Sequence, residues 1–343
     1  MKSFTASLRP LPALALVAGL SACAGQTPGG AAYTPQVTSG AAYRSASTPE
    51  TAQPDGHRHR KQIEIFTANR DGASILGFGV KASGNVAPAT TISGSQTTLD
   101  SPDSLAMDSK GNIYAANDGG TAVAVFAKGA HGNVAPKTVI TGSNTQLGPT
   151  EGMFVDQFGH LWVSSYSNNT LVEFGPGASG NATPVAVIGG GNTQLSGPTG
   201  MAMNAQGQIY AANIYTDSIT AYAKNANGNV SPVATIGGGN TGLIKPFALA
   251  FDSTGRLLVA DEDAGVLVFA KGASGNVAPI AKITGLEYPT GVLADSKNHI
   301  WAADFSGNAI EEFASNANGN ATPLRSIKGS KTTLDAPAFL VMN

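Results

Sequence analysis

One cysteine, Cys23, stands in a chain of 343 residues, which rules out a disulfide framework. The folded part must therefore stand on packing and hydrogen bonds alone. Charge is also scarce, at 12% of residues and a formal net of −2. No broad basic face is available, which argues against nucleic acid and anionic lipid as electrostatic partners. No apolar period of 3.6 residues persists over eleven positions, so a helical bundle is not expected. The run LPALALVAGL (11–20) is too short to span a bilayer stably. What the chain does have is glycine, 43 residues of it, with much Ala, Thr and Val. That mixture suits a strand-rich, turn-rich protein.

The first 22 residues read as an export signal. Lys2 and Arg9 supply a short positive region, the apolar run follows, and Leu20-Ser21-Ala22-Cys23 closes it. This order resembles a bacterial lipobox. The resemblance implies cleavage before Cys23 and acylation of that residue, with the lipid bilayer as a partner. Ala24 after the Cys fits sorting to the outer membrane where the host has two membranes. Residues 23–60 then read as the lipidated Cys and a flexible tether, rich in Gly, Ser, Thr, Pro and Ala and poor in large aliphatics. Its basic run HRHRK (57–61) reads as solvated charge.

Residues 61–343 repeat. The element G-N-[VA]-x-P begins at Gly84, Gly132, Gly180, Gly228, Gly275 and Gly319, at spacings of 48, 48, 48, 47 and 44. A second element, P-x-x-h-h-h-[DN]-x-x-G-x-h-h-h-[AS]-[ND], recurs five times from Pro102, Pro149, Pro198, Pro246 and Pro289. A third is a short apolar strand ending in Phe or Tyr. Each unit thus reads as four strands with tight, glycine-bearing links. A period near 48 with such strands marks propeller blades. The chain ends in PAFLVMN (337–343), which matches only an innermost strand. Its folded part starts with the other three strands. The expected fold is an all-β, six-bladed β-propeller of four-stranded blades, closed by a composite blade from both termini, and a monomer.

The second element resembles the NHL-type repeat, P-x-G-h-a-h-D-x-x-G-x-h-y-V-a-D-x-x-N, across residues 61–343. The resemblance implies the fold and says little of function. Two departures matter. The final Asp survives only at Asp261 and Asp304, with Asn69, Asn117, Ser165 and Asn213 elsewhere. The third strands lack the basic residue of RNA-binding members, having Val123, Leu171, Ile219 and Val266 in that region.

The search for chemistry starts on the face where strand two joins strand three and strand four joins the next strand one. The Asn69, Asn117, Asn213, Asp261 and Asp304 set there reads as turn-capping side chains. Asp103, Glu151, Thr199, Phe247 and Thr290 come from the starts of the innermost strands. A Ca2+ site built from Glu151, Asn213 and Asp261 is the alternative, by likeness to six-bladed lactonases of the gluconolactonase type, whose Asn-Gly turns this sequence lacks. Of the three histidines in the repeats, His160 and His299 fill equivalent turns three blades apart and His131 lies in a third kind of turn. No zinc site of several histidines follows, and no Ser-His-Asp or Cys-His nucleophile is evident.

Asymmetry points elsewhere. Four links into an innermost strand hold an x-T-x-L segment, as does the link into the last strand, but ITGLEYP (283–289) omits it. Beside it lies DEDAG (261–265). The candidate ligand site is a notch between the fourth and fifth continuous blades, lined by Phe247, Asp261, Glu262, Asp263, Glu287, Tyr288, Asp304 and Phe305. Acid and aromatic groups suit a sugar, a cationic ligand or Ca2+. The expected function is that of a membrane-anchored, non-enzymatic propeller binding a protein, peptide or glycan in the cell envelope, without a cofactor. A Ca2+-dependent lactonase or esterase-like hydrolase is the alternative.

Overall fold

The computed structural model describes residues 63–343. The signal segment, Cys23 and the tether lie outside the described residues. The rest forms six four-stranded antiparallel sheets. We number the continuous blades one to five. Blade one holds β4 (Pro102–Met107), β5 (Ile113–Asn117), β6 (Val123–Phe126) and β7 (Thr138–Ile140). Blade two holds β8 (Thr150–Val155), β9 (Leu161–Ser165), β10 (Thr170–Phe174) and β11 (Ala186–Gly189). Blade three holds β12 (Pro198–Met203), β13 (Ile209–Asn213), β14 (Ser218–Tyr222) and β15 (Ala234–Gly237). Blade four holds β16 (Pro246–Phe251), β17 (Leu257–Asp261), β18 (Gly265–Phe269) and β19 (Ala281–Ile283). Blade five holds β20 (Pro289–Ala294), β21 (Ile300–Asp304), β22 (Ala309–Phe313) and β23 (Arg325–Lys328). The sixth is composite. β24 (Pro337–Met342) lies innermost, followed by β1 (Glu64–Asn69), β2 (Ser74–Gly79) and β3 (Thr90–Ser93). The antiparallel pairing of β1 with β24, from Ile65 opposite Met342 to Asn69 opposite Pro337, joins the two ends of the repeat region.

The core is divided among the blade interfaces. Six apolar clusters each draw chiefly on two consecutive blades, the one between blades four and five also taking in Phe339 of β24. Strand alternation explains this. Leu257 and Val259 of β17 pack toward blade three, while Leu258 and Ala260 pack toward blade five. Both faces of a blade are covered, so its strands read as continuous apolar runs. The aromatic that ends each third strand is buried in every blade: Phe78, Phe126, Phe174, Tyr222, Phe269 and Phe313.

The G-N element does more than turn the chain. Its Gly climbs beside the outermost strand of the preceding blade and forms a parallel bridge there. Gly132 N donates to Thr91 O (2.7 Å), and Ser93 N donates to Gly132 O (3.2 Å). The same bridge occurs at all six interfaces, including Gly84 with Ile327 across the ring closure. The following Asn reaches further. Asn133, Asn181, Asn229, Asn276 and Asn85 each accept a backbone N–H from the preceding blade's exit loop, at 2.6–2.8 Å. Each outer edge is thereby covered by its neighbour, which hides ladder groups that would invite pairing with other chains.

The innermost strands contact one another in a closed cycle, β4–β8–β12–β16–β20–β24 and back to β4. Their approach accounts for the glycine of the P-x-G signature. A Cβ on Gly200 would sit 2.4 Å from the Phe247 carbonyl oxygen, and one on Gly152 would sit 2.3 Å from that of Thr199. Backbone cannot retreat as a side chain would. Gly200→Ala should therefore destabilise the propeller by about 1–3 kcal/mol through overpacking, read as a lower urea midpoint. The same change at exposed Gly191, where a Cβ meets nothing within 4 Å, should have little effect.

Candidate functional site at the channel mouth

Every innermost strand carries a β-bulge near its start. The ladder slips at Pro102/Ser104, Thr150/Gly152, Pro198/Met201, Pro246/Ala248 and Pro289/Gly291, and between Ala338 and Leu340 in the composite blade. The unpaired residues are Asp103, Glu151, Phe247, Thr290 and Phe339, with Thr199 inside the third slip. A bulge re-aims its side chain, and the six positions ring the axis. The second strands end in the Asx set, and the residue after each of these begins the next connection: Arg70, Asp118, Tyr166, Ile214, Glu262 and Phe305. All six of these, with Asp103, Glu151, Phe247 and Thr290, line a cavity of about 590 Å3 at the mouth of the channel; Tyr215, Lys245, Tyr288 and Ser306 complete it.

The cavity has two unlike walls. On blades one and two, Asp103, Asp118 and Glu151 bring carboxylate oxygens within 4.8 Å of one another. Arg70 of the composite blade pairs with Asp118. Its guanidinium also lies 5.7 Å from the Phe305 ring centre. Burial works against that charge, but Asp103 and Asp118 outweigh it and raise the Arg70 pKa. Blades four and five, across the ring, supply Phe247, Tyr288 and Phe305. Phe247 and Phe339 meet at a tilt with ring centres 5.5 Å apart, and Tyr288 meets Phe305 edge-on at 5.9 Å. The Tyr288 hydroxyl donates to Glu262, whose pKa burial raises. Between the walls, Tyr166 and Tyr215 join through their hydroxyls, rings 5.2 Å apart.

The residues expected at the notch separate into three groups. Phe247, Glu262, Tyr288 and Phe305 line the cavity. Asp261 and Asp304 do not, because their carboxylates serve the backbone. Asp261 accepts N–H groups of Ile244, Lys245 and Ala264 at 2.9–3.2 Å, and Asp304 those of Glu287, Tyr288 and Gly307 at 2.8–3.3 Å. Asn69, Asn117, Ser165 and Asn213 hold the corresponding loops of their own blades. Asp263 and Glu287 stand exposed outside the cavity. Asp263 pairs with Lys245 at 2.8 Å. The expected metal set disperses for the same reason: Asn213 and Asp261 are spent as caps, and Glu151 gathers instead with Asp103 and Asp118.

The shortened loop does create room. In the other links a Thr folds the loop by bonding the preceding Gly carbonyl, as Thr241 does to Gly238 O at 2.7 Å, and Leu243 then packs between blades. Without that segment, Tyr288 fills the gap and reaches Glu262. Arg70, Asp118, Tyr166 and Tyr215 escaped the sequence reading. The signal was present: one position after the Asx residue is Arg, Asp, Tyr, Ile, Glu or Phe, the least repetitive column beside the most repetitive one. Elsewhere, His299 meets Glu312 at 2.7 Å and Asp295 at 3.5 Å, and His160 meets Glu173 at 2.7 Å. These sets lie at the turns joining strands one and two, and each holds a single histidine.

No protein-family model matches the sequence, and no curated protein matches it. Solved structures do resemble the fold. A chain of a nidogen–laminin complex aligns with a TM-score of 0.58 at 14% identity, covering 82% of this chain and 98% of that one. A protein of unknown function from Bacteroides caccae aligns at 0.59 and 10% identity, covering 82% and 99%. The WD40 propeller domain of Doa1 aligns at 0.54 and 11% identity, covering 77% and 79%. The likeness is one of fold alone.

The acidic wall makes a pH prediction. Burial, then the charge of Asp103, pushes Glu151 up to about 9, and burial raises Asp103 against the pull of Arg70. The folded state thus binds more protons than the unfolded one between the ordinary carboxylate range and about pH 9. Stability contributed by this pair must fall as pH rises through that window, by at most about 1.4 kcal/mol per pH unit for one proton. Thermal midpoints measured from pH 5 to 9 should decline, and Glu151→Gln should flatten part of the slope.

Proposed function

We propose that the protein is a non-enzymatic binding propeller of the bacterial cell envelope, held to the membrane through acylated Cys23. Its ligand is a segment of protein, peptide or glycan, received at the channel mouth. One observation carries this reading. The repeats share the Gly bridge at all six interfaces and the Asn cap at five, and they diverge at the positions that line the mouth. Acidic groups collect on one wall and aromatic ones on the other. Pockets that combine an apolar wall with a few placed polar groups are the usual form of a binding site.

A Ca2+-dependent hydrolase is the second reading, favoured by the convergence of Asp103, Asp118 and Glu151. Oxygen donors at such spacing suit Ca2+. Against it stand the Arg70 guanidinium on Asp118 and the loss of Asn213 and Asp261 to backbone capping. Two measurements separate the readings. Capture from envelope extract should succeed with the intact protein, fail with Phe247→Ala/Glu262→Gln/Phe305→Ala, and survive Phe158→Ala on the lower face. Millimolar Ca2+ should leave the thermal midpoint unchanged. A rise reversed by EDTA would favour the hydrolase, since a ligand bound only by the folded state stabilises it by mass action.

A further inference from the structure

The mouth holds one carboxylate that the fold does not use. Asp103 is 4% exposed. Among the described residues no N–H or O–H group donates to its carboxylate, and carboxylate oxygens of Glu151 and Asp118 come within 4.8 Å of it. The capping carboxylates of Asp261 and Asp304, on blades four and five, each accept two or more backbone N–H groups, and Asp118 has Arg70. A buried carboxylate without a donor is costly unless a cation or a proton meets it. Blades four and five add Phe247, Tyr288 and Thr290 to the lining of the same cavity. The chain itself shows what such surroundings hold. Arg70 places its guanidinium between the Asp118 carboxylate and the face of Phe305.

We propose that the mouth binds an organic cation, an ammonium or guanidinium group borne by the ligand, with its charge against Asp103 and Glu151 and its stem against Phe247 and Tyr288. This rests on the reading that the mouth is the binding site, and it names the chemistry received there. The incoming cation supplies the N–H donors that the Asp103 carboxylate lacks. Arg70 then acts as a resident competitor, which lowers the negative charge of the wall. Cation–aromatic contact and charge-assisted hydrogen bonding supply the attraction.

Isothermal titration with agmatine, with uncharged N-butylurea, with sodium acetate and with CaCl2 tests this on the full propeller. Agmatine should bind and N-butylurea should not. Glu151→Gln, which keeps the shape of the side chain, should weaken agmatine about tenfold or more. Arg70→Ala should tighten it. Glu173→Gln, which removes the same charge at the lower face, should leave it unchanged.

Agmatine failing to bind at millimolar concentration would overturn the proposal, as would binding indifferent to Glu151→Gln. Acetate binding that Arg70→Ala abolishes would assign the mouth to an anion instead. Uptake of Ca2+ without agmatine would assign it to a metal. If envelope capture depends on mouth residues while agmatine fails, only the cation assignment falls. If capture ignores the mouth residues, the binding-site reading falls with it.

Discussion

The structure depends on closing six repeats into a ring without a covalent fastening. β24 pairs with β1 to complete one blade from both ends of the repeat region. At each interface a Gly-Asn pair crosses to the blade before it, bridging its outer strand and, at five of the six, capping its exit loop. The ring is therefore fastened at its inner and outer radii. Between the two lie the apolar clusters, one to each interface. A blade alone would leave both apolar faces and an outer edge exposed, so the repeats gain stability by stacking on neighbours.

Closure also decides where function can sit. The innermost strands approach so closely that glycine is needed where backbones nearly touch. Little room remains along the axis, and in four of the six blades the bulge at the start of the strand turns a side chain into the mouth. Those four bulged residues and the six that follow the Asx caps share one small space. Repeats held alike elsewhere are free to differ there. Blades one and two contribute Asp103, Asp118 and Glu151, while blades four and five contribute Phe247, Tyr288 and Phe305. The bulk of the fold is neutral ground. The mouth, where carboxyl groups are raised by burial and by one another, is where protonation and ligand binding can be linked.

Much of this was legible in the sequence. Spacing of the G-N element counts the blades, and PAFLVMN matches an innermost strand by its pattern alone. The staple was less legible. A Gly-Asn pair reads locally as a turn, and its partner lies about forty residues earlier in the chain. Site residues were partly legible for a related reason. Asp261 and Asp304 stood out as polar side chains at the correct face, but the backbone of a neighbouring loop claims them. A short linear window shows a side chain's type and not what it will be asked to bond. Arg70 and Asp118 sit one residue beyond, in a column with no repeat to draw attention. Their meaning appears only when blade one and the composite blade are laid side by side.

The claim that function gathers at the mouth can be put to one direct measurement. A photo-crosslinking residue such as p-benzoylphenylalanine can replace Tyr215, exposed at the mouth, or Phe158, exposed at the lower face. Irradiation in intact envelopes then reports which face meets a ligand. An adduct is expected from position 215 that is lost with Phe247→Ala/Glu262→Gln/Phe305→Ala, and none from position 158. An adduct from 158 alone would contradict the claim.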